Sequence, residues 1–216
     1  AYADMGILAE AMCNYLLRLG WSHGDDETIS RDQAIDWFNL ASVGHSPARF
    51  DMDKLTNLNG HYIRHAEDSR LMADLAPYLK SLLGYDVDPA TLSRLELLLP
   101  SLKPRANSLV EMAEKAVFLF LKRPLTIDKK AAKHINADSL AIISNLLIEL
   151  EKTEIWDIER LEALIREFAD SQSLKIGKIA QPLRAMLTGS TVSPGIFEVL
   201  FSLGREETLY RLRDNI

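Results

Sequence analysis

Residues 175–200 read KIGKIAQPLRAMLTGSTVSPGIFEVL and hold two apolar runs separated by a short polar loop. The first run has the spacing of one helical face as far as Leu187, and Gly189 follows as a typical helix end. In the second run Ser193 is a good N-cap, and Pro194 suits the first helical turn. This stretch therefore predicts two helices joined by a tight, uncharged loop.

Most of the remaining chain repeats the same pattern of short amphipathic runs with capping signals. A run ending at Gly20, a capping box of Ser30 and Gln33, and proline-led runs at Pro89 and Pro104 are examples. No segment alternates in the manner of a strand, and no internal repeat is visible. We therefore predict an all-α fold, an array of about ten short helices.

The composition is that of an ordinary globular protein. The 216 residues are 47% hydrophobic and 26% charged, which is enough to bury a sizeable core. Cys13 is the single cysteine, so an intrachain disulfide is excluded and a reducing, cytoplasmic location is predicted. No apolar run approaches the roughly 18–20 residues of a membrane span, and the first residues do not resemble a signal peptide. We expect no membrane partner.

Charge is distributed unevenly along the chain, whose formal net charge is −6. Residues 101–135 carry 8 basic and 3 acidic groups, and residues 171–213 carry 6 and 3. Residues 1–60 carry 4 basic and 9 acidic groups, and residues 149–170 carry 3 and 8. Two basic blocks could mark a surface for a polyanion such as a nucleic acid, or they could be the ordinary patchiness of helical proteins.

The sequence shows no recognisable catalytic or metal-binding motif. His61 and His65 could share a helix face, but no third ligand is evident, and surface histidines are the simpler interpretation. His23 lies among carboxylates and could act as an acid or base, although a capping turn is simpler. Glycine-rich phosphate loops are absent from the sequence. The possible nucleophiles without a paired histidine motif are Cys13, Ser30 and Ser46. We predict no catalytic residue, no metal and no cofactor bound by this chain.

The loop before residue 196 offers groups that suit unstacked nucleic-acid bases. Arg184 lies on the helix that leads into the loop, with Gln181 three residues earlier on the same face. Gly195 allows close backbone approach, and the next helix start presents unpaired N–H groups beside Ser193. Guanidinium and amide groups match base edges and stack on ring planes. Equally, Arg184 could pair with Glu198 and the loop could be only a turn.

Three stretches resemble bacterial glutamyl-tRNA synthetases, in that family's order. They are EAMCNYLLRLGWSHGDDE (10–27), SPARFDMDKLTNLNGHYIR (46–64) and KIGKIAQPLRAMLTGSTVSPGIFEVLFSLG (175–204). The family carries HIGH and KMSKS signatures on a Rossmann-type domain, and neither occurs here. The resemblance implies a C-terminal part that lacks the catalytic domain and cannot form glutamyl-adenylate by itself. ATP with Mg would then be used by the full-length enzyme and not bound by this chain.

The resemblance also implies a division of the chain and a set of binding residues. Residues 1–66 would form a stem-contact domain, and residues 67–122 and 123–216 two anticodon-binding subdomains. The implied partners are glutamate tRNA and the missing N-terminal catalytic domain, with the protein a monomer. The alternatives are a helical protein-interaction scaffold without RNA binding, or a stand-alone enzyme using His23. The anticodon-binding residues implied by motif position are Arg105, Gln181, Arg184, Ser193, Pro194 and Ile196.

Overall fold

The computed structural model describes residues 1–44 and 48–216, and Ser46, considered above as a nucleophile, lies outside this part. The described residues form eleven α-helices and no strand beyond an isolated bridge between Trp21 and Val43, so the predicted all-α fold is confirmed. The helices are α1 Ala9–Gly20, α2 Arg31–Trp37, α3 Met52–His65, α4 Asp68–Leu83, α5 Pro89–Leu102, α6 Leu109–Ala116, α7 Ala137–Lys152, α8 Ile158–Ser171, α9 Gly177–Thr188, α10 Ile196–Leu203 and α11 Arg205–Arg213. Short 3-10 segments occur at Ala3–Met5, Leu40–Ser42, Lys103–Arg105, Val117–Phe120 and Ala131–His134.

Several helix starts follow the predicted capping signals. Ser30 and Gln33 form the expected capping box before α2, and Asn136 forms another with Ser139 before α7. Asp157 caps α8 through the backbone N–H of Arg160. These caps are local, because each side chain satisfies N–H groups within its own first turn.

Two expectations about helix boundaries were wrong. In FDMDKLTNLNGHYIRH (50–65) the glycine at position 60 indicates an interruption of the helix, but α3 runs without a break from Met52 to His65. A Cβ at Gly60 would overlap the side chain of Asn107, so the glycine provides space for packing instead of a turn. Pro104 lies in a 3-10 segment, and α6 begins only at Leu109.

The chain divides into two compact units. Unit 1 comprises Ala1–Tyr78 and Lys103–Ala113, and unit 2 comprises Leu79–Leu102 and Glu114–Ile216. The three-part division implied by the resemblance is a different partition and stays a prediction.

The core of unit 1 is organised around a buried amide. The Asn59 side chain accepts a hydrogen bond from Leu8 N at 2.8 Å and donates to the carbonyl oxygens of Gly6, at 3.1 Å, and Asn107, at 2.7 Å. Asn59 is completely buried, between Leu55 and Ile63 on the inner face of α3. Because a buried polar group is costly without partners, this saturated amide fixes the backbone segments that meet there.

Unit 2 packs α10 against α5 and α8, and α9 against α7 and the 131–134 segment. Its most buried charge is Arg211, whose side chain is 1% exposed. The guanidinium donates to the carbonyl oxygens of Phe118 at 2.8 Å, Leu187 at 2.7 Å and Leu121 at 3.3 Å, and to Glu207 at 2.7 Å. Arg211 therefore joins its own helix, α11, to the 118–121 segment and to the end of α9 inside unit 2.

Across residues 1–44 and 48–216, no helix combines the length and apolarity that a membrane crossing requires.

Candidate nucleic-acid interface

The histidines considered from the sequence have ordinary structural surroundings. His61 and His65 have ring centroids 4.2 Å apart, and burial, followed by the charges of His65 and Arg64, lowers the pKa of His61. His23 Nδ1 lies 3.0 Å from an Asp26 carboxylate oxygen, and its ring stacks on Trp37 at 4.2 Å. In the part of the chain that the structure describes, no three His, Cys, Asp or Glu side chains are placed to hold a metal ion.

Arg184 is the best-defined polar feature near the loop that follows α9. Its Nε donates to Ser193 Oγ at 2.8 Å, and Ser193 Oγ donates in turn to the Pro194 carbonyl oxygen at 2.8 Å. The side chain is half-buried; burial lowers the pKa of Arg184, while the charge of Glu198 acts in the opposite direction. The guanidinium remains charged at any physiological pH. Its two Nη groups make no hydrogen bond within the described ranges.

The expected cap at Ser193 is wrong. Helix α10 begins at Ile196, its N-cap is Gly195, and no side chain caps it by a hydrogen bond. The Ser193 hydroxyl is instead engaged by Arg184 and by the Pro194 carbonyl. A Cβ at Gly195 would overlap the Glu198 carboxylate, so this acid lies against the helix start. The expected exposed N–H groups at α10 therefore face a carboxylate of the same helix.

The other predicted residues of this loop differ in accessibility. Pro194 and Ile196 are buried, the latter 6% exposed, so their side chains do not form the solvent-facing apolar edge expected for stacked bases. The exposed apolar side chain on the loop is Val192, at 73%, which the sequence analysis did not single out. Gln181 is half-buried, one helical turn before Arg184. Contact of these residues with bases stays a prediction.

A second chain segment holds the loop in place. Gly189 ends α9 with φ 73°, and its carbonyl oxygen accepts a hydrogen bond from Asp128 N at 2.8 Å. A Cβ at Gly189 would come 2.6 Å from the Thr126 carbonyl oxygen. The Thr188 hydroxyl donates to the Arg184 carbonyl oxygen at 2.8 Å. The loop is thus anchored at its first residues, while Val192 is free to face solvent.

Arg105 is exposed and belongs to the 3-10 segment Lys103–Arg105 of unit 1. Arg184, Ser193 and the rest of the predicted set lie in unit 2. The structure thus brings five of the six predicted residues together on α9, the loop and the start of α10. The contact of Arg105 with an anticodon stays a prediction.

Residues 70–216 match the family model described as an anticodon binding domain. This match covers more than half of the chain, so the protein belongs to the anticodon-binding domain family.

Two similar curated relatives are longer proteins that carry the same name. The chain is 52% identical, over 99% of its length, to glutamate–tRNA ligase 2 of Parvibaculum lavamentivorans, of which it covers 44%. It is 51% identical, over 99% of its length, to glutamate–tRNA ligase 2 of Zymomonas mobilis, again covering 44%. The chain thus spans less than half the length of these curated relatives.

Solved structures show the same fold. A glutamate tRNA ligase crystal structure from Elizabethkingia meningosepticum, in complex with its amino acid, superposes with a TM-score of 0.82 at 26% identity. The match covers 99% of this chain and 42% of that one. The resemblance to glutamyl-tRNA synthetases is confirmed, and the alternative of a protein-interaction scaffold is not favoured.

Proposed function

We propose that this chain is the tRNA-binding part of a glutamate–tRNA ligase and that unit 2 holds the anticodon of glutamate tRNA. The main observation behind this proposal is how the Arg184 side chain is held and which of its donors are paired. Its Nε is fixed to Ser193 Oγ, its position is half-buried, and its Nη donors have no hydrogen-bond partner within residues 1–44 and 48–216. The family match and the name shared by the relatives support the choice of ligand.

The chemistry of this arginine suits a splayed base. A partly desolvated guanidinium interacts more strongly with a ligand than one surrounded by water, because the local dielectric is lower. Its Nη fork matches paired acceptors on a base edge, and its plane stacks on base rings. The hydrogen bond to Ser193 limits the freedom of the side chain before RNA arrives, so less entropy is lost on binding.

The neighbouring residues complete the proposed surface. Gln181, one turn earlier on α9, adds an amide that can both donate to and accept from a base edge. Val192 offers an exposed apolar side chain beside these polar groups. Because Pro194 and Ile196 are buried, their contribution would come through the backbone and through the shape of the loop.

The ligase reaction is assigned to the remainder of the enzyme. We infer that this chain does not aminoacylate by itself, because the HIGH and KMSKS signatures of the resembled family are absent from its sequence. ATP with Mg would bind to the catalytic domain of the full-length enzyme. This chain would hold the tRNA for that domain. A cytoplasmic location and a monomeric state stay predictions.

The proposal is tested by titrating the chain with glutamate tRNA and with the same tRNA carrying a changed anticodon, at two salt concentrations. The expected result is tighter binding of the native anticodon, with both affinities weakening as salt rises. Equal affinity for the two tRNAs, or no binding, would contradict anticodon recognition. An ATP–pyrophosphate exchange assay, with a full-length ligase as the positive control, checks that the chain alone lacks activation activity.

A further inference from the structure

A basic cavity opens beside the predicted base-reading residues of unit 2. It has a volume of about 540 Å³ and lies between the 131–134 segment, the start of α7 and the start of α9. These elements belong to one packed group, since α9 contacts both the 131–134 segment and α7. The titratable side chains that line it are Lys133, His134, Asp138, Lys175 and Lys178, and the amide of Gln181 lies beside them.

Three lysine side chains line this cavity. Lys133, Lys175 and Lys178 are exposed, and in the two described ranges none of them pairs with a carboxylate. By contrast, Lys80 pairs with Asp86 and Lys152 pairs with Glu149. Three unpaired ammonium groups around one concavity favour an anionic ligand, since each remains available for charge pairing.

The polar groups at the start of α7 are already satisfied by each other. The Asn136 side chain accepts from Ser139 N, and the Ser139 hydroxyl oxygen accepts from Asn136 N. Asp138 also lines the cavity, but its single negative charge is outnumbered by the three lysines. Affinity for an anion would therefore come from the lysine side chains.

The lysines continue the row of polar residues that ends at Arg184. Lys178, Gln181 and Arg184 follow one another at three-residue steps on α9, so each is the surface neighbour of the next, in a row that winds part of the way around the helix. At a rise of 1.5 Å per residue, Lys178 and Arg184 are about 9 Å apart along the helix axis. A strand whose base contacts Arg184 would carry its neighbouring phosphates past Lys178 and into the cavity.

We propose that this cavity, here the lysine cradle of Lys133, Lys175 and Lys178, binds backbone phosphates of the RNA strand next to the base held by Arg184. This proposal rests on the proposed function, because the RNA is the one bound there. The cradle contributes affinity without sequence preference, whereas Arg184 contributes the preference. The two contributions can be separated by experiment.

The test compares the triple variant Lys133→Gln, Lys175→Gln, Lys178→Gln with the unchanged chain in binding titrations over a series of salt concentrations. If the cradle binds phosphates, the slope of log affinity against log salt should fall in magnitude by about 2. Each of the three phosphate contacts on a single strand contributes roughly 0.7 to that slope. The loss of affinity should be the same for the native and the changed anticodon. Lys152→Gln, on a paired lysine of the acidic 149–170 segment, is the matched control and should leave the slope unchanged.

A second probe separates failure of the cradle from failure of anticodon reading. Short oligouridylate carries phosphates without an anticodon, so the cradle predicts salt-dependent binding that the triple variant weakens. If the triple variant weakens oligouridylate binding while the native and the changed tRNA bind equally, the phosphate-binding role of the cradle is supported and the proposal of anticodon recognition is contradicted. An unchanged salt slope in the triple variant, or no binding of any RNA by the unchanged chain, would overturn the cradle. Since the three lysines are exposed, circular dichroism should show the variant folded.

Discussion

Two arginines of unit 2 are held in opposite ways. Arg211 is 1% exposed, and three backbone carbonyls and Glu207 accept hydrogen bonds from its guanidinium. Arg184 is half-buried and donates from Nε to Ser193 Oγ alone, as far as residues 1–44 and 48–216 show. Burial lowers the pKa of both groups, but Glu207 at one and Glu198 at the other oppose that effect.

The number of guanidinium donors paired inside the protein separates a structural arginine from one that can bind a ligand. At Arg211 nearly all donors are used inside the protein, so a ligand would have to break existing bonds. At Arg184 one bond orients the group, and within residues 1–44 and 48–216 its Nη donors make no hydrogen bond that a ligand would have to break. Both side chains are charged and at least partly buried, so the more telling difference is the number of guanidinium donors already paired within the protein.

The largest expected effect is on stability, from Arg211→Leu. The substitution removes the guanidinium that donates to the carbonyls of Phe118 and Leu187, and it removes the nearer of the two arginines that pair with Glu207. It should therefore lower the free energy of unfolding by about 3–5 kcal/mol. Urea unfolding followed by circular dichroism measures the change. Arg184→Leu is the matched control and should cost much less. An equal decrease in the free energy of unfolding for the two variants would show that Arg184 is as important for stability as Arg211.

The next effect is on binding, from Arg184→Ala. Affinity for glutamate tRNA should fall by about 1–3 kcal/mol, the scale of a bidentate contact to a base. Arg184→Lys should not restore it, because an ammonium lacks the planar fork. Isothermal titration calorimetry at fixed salt gives both values. Full affinity in the alanine variant would remove Arg184 from the site.

Gly189→Ala tests whether the close approach of the loop to the Thr126 backbone contributes to stability. Gly189 has φ 73°, and an added Cβ would come 2.6 Å from the Thr126 carbonyl oxygen. The left-handed conformation alone costs about 1–2 kcal/mol, and the close contact should add to it. Gly84→Ala is the control, since Gly84 has the same φ of 73° with nothing near its Cβ position. Thermal unfolding should show a larger loss at residue 189 than at residue 84.

Ser193→Ala should have a smaller effect on affinity than removal of the arginine. It releases Nε of Arg184 without removing the guanidinium, so a loss of about 0.5–1.5 kcal/mol is expected. Ser193→Thr keeps the hydroxyl and should recover most of that loss. A titration in which both variants match the unchanged protein would show that orientation by Ser193 is unimportant.

The smallest effect concerns acid pH and Asp128. The backbone N–H of Ala131, together with that of Lys130 and the side chain of Ser190, holds the pKa of Asp128 below its ordinary value. Because the folded pKa is the lower one, this stabilisation is full above the ordinary carboxylate range and is lost as pH falls through the folded value. Asp128→Asn should be less stable at neutral pH and show a weaker further loss on acidification. Thermal unfolding from neutral pH to about pH 3 tests this.

Local features of the fold followed from the sequence. The capping box of α2 was predicted because Ser30 and Gln33 lie within one helical turn, so their spacing alone indicates it. Ser193 was misassigned because a residue nine positions earlier takes its hydroxyl. A cap signal is reliable only while no distant side chain competes for the same oxygen.

Long-range features could not be predicted. Nothing in REETLYRLR distinguishes buried Arg211 from its exposed neighbour Arg213, since Phe118 and Leu121 lie about ninety residues away. The burial of Pro194 and Ile196 likewise depends on packing that the apolar pattern does not specify. The sequence singled out Arg184, but only the structure shows that its Nη donors make no hydrogen bond within residues 1–44 and 48–216.

Whether Arg184 reads the anticodon is tested most simply by measuring four affinities. The unchanged chain and Arg184→Ala are each titrated with glutamate tRNA and with the tRNA whose anticodon is changed, at one salt concentration. If Arg184 reads the anticodon, the unchanged chain prefers the native sequence and the variant loses most of that preference, so the two changes are not additive. The same preference in both proteins would show that Arg184 does not read the anticodon.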